Sequence, residues 1–444
     1  MAHLGTNDTA YHYVGAMSVP RVYQCEDTIA RSKPNDTSFE ATVLIIGGGG
    51  GGGVAGNGLG GGGGGGAGGY REFTKRYFTG TNYTVTVGAG AAQNTIGTDS
   101  SIERIASGGG RGEGSATSSS VGGSGGGSVT NVKRTATSPR CNQPKQGNSG
   151  GRGNLSALTG GAGGGGAGAD GSSNTGSARA GSAGGNGTAS SITGSSVTRG
   201  GGGGGGSCSF TDGTVAGGSG GSGGGGAGGT ADHSGSAQNG SNGTANTGGG
   251  GGGGDATNNS SGSSTYSFGT GGNGGSGFVV IKLPDTHEIT IGGGLTSSSS
   301  TSGGFTTVQF TAGTDTVSFA EASASLTIAK ISDGSDGDRI EVIFSLTTLP
   351  AGTTQLKYTI SGTGTASTVV TIPTSTANNE NHDGTGGSST FRSRYNSSLN
   401  RGSFFHGDGD AISNISLTVE ALNSGGTTLA TSNTLTGMVI DEDG

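Results

Sequence analysis

Three sets of residues in this 444-residue sequence have side chains that could do chemistry at close spacing. The first is cationic and aromatic. Lys133, Arg134, Arg140 and Lys145 fall within Ser128–Gln146, Phe210 stands in Ser207–Thr214, and Tyr266 and Phe268 close the stretch Asp255–Phe268. Guanidinium, ammonium and ring groups on exposed loops are the side chains that anchor partner contacts, so these are candidate partner-contact residues. The second set, Arg392, Arg394 and Tyr395, has the same character and lies in Thr390–His406, which reads as a loop. The third is acidic: Asp333, Asp336 and Asp338, with Asp408 and Asp410 further on. Closely spaced carboxylates on a loop can hold calcium, although the spacing is not that of an EF-hand and a solvated hairpin turn uses the same residues. Calcium is the one cofactor the sequence suggests.

Other chemistries lack their residues. The six histidines are scattered and form neither H-x-x-x-H nor H-E-x-x-H, which disfavours a zinc enzyme. Glycines follow Ile46 in a pattern that satisfies G-x-G-x-x-G, but a dinucleotide site needs a helix to open there, and only more glycine follows. No P-loop sequence occurs, and no serine sits in a G-x-S-x-G context with partners. Cys25, Cys141 and Cys208 are distant from one another and odd in number, against a disulfide framework or zinc cluster, and suit a reducing compartment of assembly.

The elements that must position these loops are unusual. Glycine contributes 108 residues and hydrophobic types only 27%, too little for three ordinary cores at this length. No apolar stretch is long enough to span a membrane, and the first twenty residues lack a basic-then-apolar secretory signal. Of the glycines, 85 lie between Gly47 and Gly277. That zone carries +4, the preceding residues −2 and the remainder −9; none is basic enough for generic nucleic-acid binding.

The glycine-rich zone is bracketed by Ala41–Ile46 and Phe278–Leu283, two β-branched runs that read as neighbouring buried strands; Tyr83–Val87 reads as a third. Inside lie four runs of seven glycines, Gly47–Gly53, Gly60–Gly66, Gly200–Gly206 and Gly248–Gly254. Composition alone also suits a flexible linker. An ordered alternative is the left-handed threefold helix, in which seven residues span about 22 Å. Such helices pack side by side because no side chain intervenes, and backbone hydrogen bonds replace the apolar core. The stretches between runs are then loops at the ends of a bundle. From 286 onward glycine falls and period-two segments recur, which predicts an antiparallel β-sandwich. The expected fold is all-β: a small sheet bearing a polyglycine-II bundle (41–285), then an antiparallel β-sandwich (286–444), with 1–40 as an attachment segment and no significant α-helix.

Val43-Leu-Ile-Ile-Gly47 into polyglycine, Gly68-Gly-Tyr70, Tyr83-Thr-Val-Thr-Val-Gly-Ala-Gly90 and Gly274-Gly-Ser-Gly-Phe-Val-Val-Ile-Lys282 together resemble the glycine-rich domain of bacteriophage tail-fibre and virion proteins, including the adhesin at the tips of T-even-type fibres. Leu349-Pro-Ala-Gly-Thr353 and Tyr358-Thr-Ile-Ser-Gly-Thr363 resemble a Calx-β or immunoglobulin-like module. The resemblance implies a non-enzymatic virion surface protein, assembled in the host cytoplasm, whose bundle loops contact a host surface glycan or outer-membrane protein. It implies attachment to other virion proteins through 1–40, compatibility with a homotrimer, and no nucleic-acid partner. A capsid decoration or connector protein is the alternative of the same class. An ice-binding protein would need regular Gly-x-x spacing, and a fibre-borne glycan hydrolase paired carboxylates across a groove.

Overall fold

The computed structural model describes residues 38–440 apart from 57–59, 115–119, 131–144, 155–158, 176–177, 211–212, 234–235, 260–264, 323–327, 336–339, 347–348, 351, 362–367, 375–381, 384–390, 397–400 and 407–411. Among the described residues there is no helix; the regular elements are all strands. The chain forms two compact units, Met1–Glu321 and Ala322–Gly444.

Strand Ser38–Ile46 is the spine of the first unit's sheet. It pairs antiparallel with Tyr70–Phe78 on one side and Phe278–Pro284 on the other, so that Ile46 faces Tyr70 and Phe278. The two bracketing runs are thus neighbours. The aromatic, charged stretch after Gly69 is an edge strand in full register with the spine. The sheet then continues through Phe305–Glu321 to Asn82–Thr86 and two short strands up to Ala106. Strand Phe305–Glu321 is why this unit runs past 285, where glycine enrichment ends. It pairs with Phe278–Pro284 and with Asn82–Thr86, and it carries Val308, Phe310, Val317 and Phe319 into the same core as Val43, Ile45 and Ile281. Period-two alternation gives the sheet a second apolar face, where Leu44, Ile46, Phe278 and Val280 pack with Ile192.

The glycine zone forms the threefold bundle, and its hydrogen bonds show the threefold phase. In Gly47–Gly53, the N–H groups of residues 47, 50 and 53 donate to carbonyls 69, 66 and 63; those of 48 and 51 donate to 98 and 95; those of 49 and 52 donate to 275 and 272. Its carbonyls receive N–H groups from 109 and 112, from 91 and 94, and from 251 and 254. The run therefore has a hydrogen-bonded neighbour in all six directions around its axis. Gly60–Gly66, Gly200–Gly206 and Gly248–Gly254 are enclosed likewise, and the four runs bond to one another: Gly65 N–H to Gly251 O at 2.8 Å, Gly203 N–H to Gly65 O at 2.8 Å and Gly251 N–H to Gly50 O at 2.9 Å. Neighbouring backbones are so close that a Cβ at Gly52 would lie 1.9 Å from the Gly252 carbonyl oxygen, and one at Gly203 would lie 2.0 Å from that of Gly251.

At the periphery the glycine content drops in step with the threefold helix. In Ala216-Gly-Gly-Ser219-Gly-Gly-Ser222 every third residue is exposed and is not glycine, while the glycines between face inward. In Asn239-Gly-Ser-Asn242-Gly-Thr244 only one residue in three is glycine, and Gly240 is buried. The starts of the long runs follow no common repeat, but each flank segment keeps a three-residue phase. Three runs begin on a left-handed glycine, with φ of +79° at Gly60, +77° at Gly200 and +66° at Gly248, a conformation side chains rarely adopt.

The second unit holds two five-stranded sheets with antiparallel pairing throughout. One is built on Ile340–Leu346 and Arg401–His406, the other on Gln355–Ser361 and Ile412–Leu422. Leu356, Tyr358 and Ile360 alternate inward and meet Leu417, Val419 and Ala421 in the core.

Candidate functional site

The runs Gly47–Gly53, Gly200–Gly206 and Gly248–Gly254 all point away from the sheet, and the loops that follow them meet at the far end of the bundle. Two of these loops build a small platform. After Gly206, the Ser207 hydroxyl donates to the Val215 carbonyl at 2.7 Å and accepts the Ala231 N–H at 2.7 Å, tying three segments together. The chain then forms Cys208–Ser209, which pairs parallel with Ala256–Asn259, the continuation of the last glycine run. Ala256–Asn259 pairs antiparallel with Thr265–Phe268.

Residues 266 and 268 are two apart on one strand, so their rings share a face. The rings of Tyr266 and Phe268 stack at 6.3 Å with planes 13° apart, and Phe210 meets Tyr266 edge-on at 5.8 Å. Tyr266 is 38% and Phe268 36% exposed, so both rings keep part of their surface open to solvent. Beneath Phe210 lie the small buried residues Ala55, Cys208 and Ala256. Burial pushes the Cys208 thiol up to about 12, so it is an inert packing group rather than a nucleophile.

Asp255 forms the base of the platform, where Gly254 gives way to side chains. It is fully buried. Its Oδ1 accepts the Gln238 N–H at 2.7 Å, and Oδ2 has no hydrogen-bond partner. Burial pushes its carboxyl up to about 7, against the opposing pull of the backbone N–H. Near the same end, the Glu113 side-chain oxygens accept from the Val129 N–H at 2.7 Å, the Thr130 N–H at 3.0 Å and the Ser128 hydroxyl. They pin the root of the segment that carries the cationic loop.

The sequence-derived contact residues divide accordingly. Phe210, Tyr266 and Phe268 come together. Lys133, Arg134 and Arg140 lie outside the described residues. Lys145 is not at the distal end: its Nζ donates to Asn148 Oδ1 at 3.1 Å, and the next residue, Gln146, accepts the N–H of Tyr70 at the sheet. In the second unit, Arg392, Arg394 and Tyr395 do not lie in a loop. They belong to strand Phe391–Asn396, paired in register with Arg401–His406, because alternating Phe391, Ser393 and Tyr395 suit a strand better than the local polarity suggested. Asp333 also belongs to a strand, Ile328–Ser335, opposite Val342, while Asp336 and Asp338 lie outside the described residues. Among the described residues no three His, Cys, Asp or Glu side chains are grouped to hold a metal.

Sequence reasoning missed the groups that finish the bundle's edges. A peripheral threefold helix has N–H groups with no neighbouring backbone, and short polar side chains accept them: Asn94 from Val54 at 3.1 Å, Asp99 from Gly108 at 2.8 Å, Asp170 from Ser149 at 2.8 Å, Asn239 from Thr270 at 2.8 Å and Asn242 from Asn273 at 2.8 Å. The available signal was the recurrence of Asn, Asp and Ser among the glycines, which reads equally well as turn composition. A family model described as a glycine-rich domain matches residues 30–284. No curated protein and no solved structure matches the chain.

Proposed function

The chain belongs to the glycine-rich domain family, and from that premise we propose that it is a structural protein of a phage particle, a tail or surface fibre that contacts the host envelope through the far end of its bundle. The observation that carries this reading is the exposed Tyr266–Phe268 stack at the end of a hydrogen-bonded backbone rod. A bundle in which every interior residue bonds to a neighbour is stiff, and it holds its end loops away from the sheet at a fixed geometry. Rigid aromatic anchors on such a support lose little entropy on docking. Attachment to other virion proteins falls to residues 1–40, and the partner at the distal end is a host surface glycan or outer-membrane protein.

The test is sedimentation of the labelled full chain with whole cells from a panel of bacteria. Saturable binding to a subset is expected. The double variant Tyr266→Ala/Phe268→Ala is expected to bind at least about tenfold more weakly, as loss of aromatic anchors generally does, with an unchanged melting temperature. Binding to no strain, or equal binding by the variant, rejects the distal-contact reading and favours a decoration or connector protein.

A further inference from the structure

We propose that the flank of the bundle carries a second binding site, a groove that takes an extended neutral glycan through a ladder of asparagine amides. The site is separate from the distal stack. It rests on the geometry of the bundle's edge rather than on the fibre reading.

The groove has a volume of about 560 Å³. Gln93, Asn239, Asn242, Thr270 and Asn273 are among the residues that line it. All five residues are exposed. No lining residue is charged or aromatic, so neither an ionic ligand nor a stacked ring is what the groove complements.

The amides are oriented by the backbone. Asn239 Oδ1 accepts the Thr270 N–H at 2.8 Å, Asn242 Oδ1 accepts the Asn273 N–H at 2.8 Å, and Asn273 Oδ1 accepts the Gln93 N–H at 3.1 Å. A backbone N–H can only donate, so each amide oxygen is fixed in place and each Nδ2 turns its two protons away from that bond. The result is a set of fixed donors. Asn239 and Asn242 are one turn of the threefold helix apart, about 9.3 Å, a spacing comparable to the disaccharide repeat of an extended pyranose polymer.

The donor set selects the ligand class. Each of the three amide oxygens holds one backbone N–H, so the N–H donors of the ladder are what it chiefly presents to the groove. A sugar hydroxyl rotates to accept from a fixed donor and gives its own proton to Thr270 Oγ1 or Gln93 Oε1. A peptide backbone brings N–H groups at fixed intervals that cannot rotate to meet Thr270 Oγ1 or Gln93 Oε1, and burying such donors unpaired is costly.

The experiment is calorimetric titration of the full chain with cellohexaose, maltohexaose and chitohexaose into the millimolar range. At least one is expected to bind saturably. The variant Asn239→Asp/Asn242→Asp keeps an acceptor oxygen for the Thr270 and Asn273 N–H groups, so its melting temperature is expected to hold while its affinity falls at least tenfold. Tyr266→Ala/Phe268→Ala is expected to keep oligosaccharide binding even where it loses cells, which separates the two sites. The proposal is overturned if none of the three sugars binds, or if the aspartate variant binds within twofold of the parent. It is equally overturned if the chain binds no sugar but shows a thermal hysteresis that the aspartate variant abolishes, which would assign the ladder to ordered water.

Discussion

Ser38–Ile46 and Gly47–Gly53 are consecutive in the chain, both end in full burial, and share no means of achieving it. In the strand, Leu44, Ile45 and Ile46 are 0% exposed because a two-residue period sends their side chains into cores on both faces of the sheet. In the glycine run, a three-residue period directs the backbone at six neighbours, and there is no room for a side chain on any side. Burial in the first case is dispersion and apolar transfer. In the second it is hydrogen bonding and close backbone approach, with Cα–H···O contacts as a secondary contribution. The comparison teaches how to read the glycines: the number per three residues reports where a helix sits. Three of three marks an enclosed helix, two of three a flank, one of three a corner.

The sharpest way to break this comparison is to place the same side chain in an enclosed helix and on a flank. Gly203→Val sets its Cβ within 2.0 Å of the Gly251 carbonyl oxygen, and rigid backbone surrounds it on every side. A loss of more than about 5 kcal/mol is expected, the exceptional end for one substitution, read as failure to recover soluble, cooperatively melting protein. Ser219→Val, exposed at the outward phase of its segment, is expected to stay within about 0.5 kcal/mol of the parent. Equal effects at the two positions would defeat the positional reading of glycine content. Across the junction, Ile281→Ala removes a fully buried side chain from the sheet and is expected to cost about 4 kcal/mol, the upper part of the range for such truncations. Urea unfolding by circular dichroism measures it.

Much of this was legible beforehand, for reasons that differ by region. The bracketing strands were evident because Ala41–Ile46 and Phe278–Leu283 are continuous β-branched runs, and such runs must find each other. The bundle was legible as the ordered alternative to a flexible linker, because a seven-glycine run has only its backbone groups to bury. The extent of the first unit was not, because Thr306–Phe310 has the same alternation whether it completes this sheet or starts a sandwich; only pairing with Phe278–Pro284 decides. Of the candidate contact residues, the aromatic triad was visible as ring side chains at the ends of glycine runs. The end at which Lys145 finishes was not legible, because the length of a loop does not say at which end of a bundle it finishes. Arg392, Arg394 and Tyr395 look loop-like only if Ser393 and the glycines nearby are read as breakers. Asp255 carried no signal beyond following Gly254, and its burial depends on Gln238 from another segment.

Asp255 sharpens the boundary between backbone core and side-chain platform. A carboxyl raised to about 7 in the native chain ionises there later than in the unfolded chain, so the unfolded state loses its proton first as pH rises. Its contribution to stability is therefore most favourable below about pH 4, declines between about 4 and 7, and stays low above that. Asp255→Asn keeps an oxygen for the Gln238 N–H and cannot ionise. The variant is expected to match the parent at pH 4 and to exceed it at pH 8 by on the order of 3 kcal/mol. Thermal melts of both proteins at the two pH values test this; a difference that does not change with pH would show that the buried carboxyl does not resist ionisation.

The smallest expected effect tests whether edge asparagines belong to the fold or only decorate it. A flank helix lacks a backbone partner on its outer side, and Asn242 stands in for one by accepting the Asn273 N–H. Water can replace that acceptor at an exposed site, so Asn242→Ala is expected to cost only about 1 kcal/mol, the net worth of one ordinary hydrogen bond. Asn242→Asp retains the acceptor and is expected to cost less than the alanine. The ordering alanine below aspartate, measured by chemical unfolding, is what a capping role requires. The reverse ordering would mean that the amide's N–H groups, not its oxygen, are what the edge of the bundle uses, and the ladder would then be part of the fold instead of a surface free to bind.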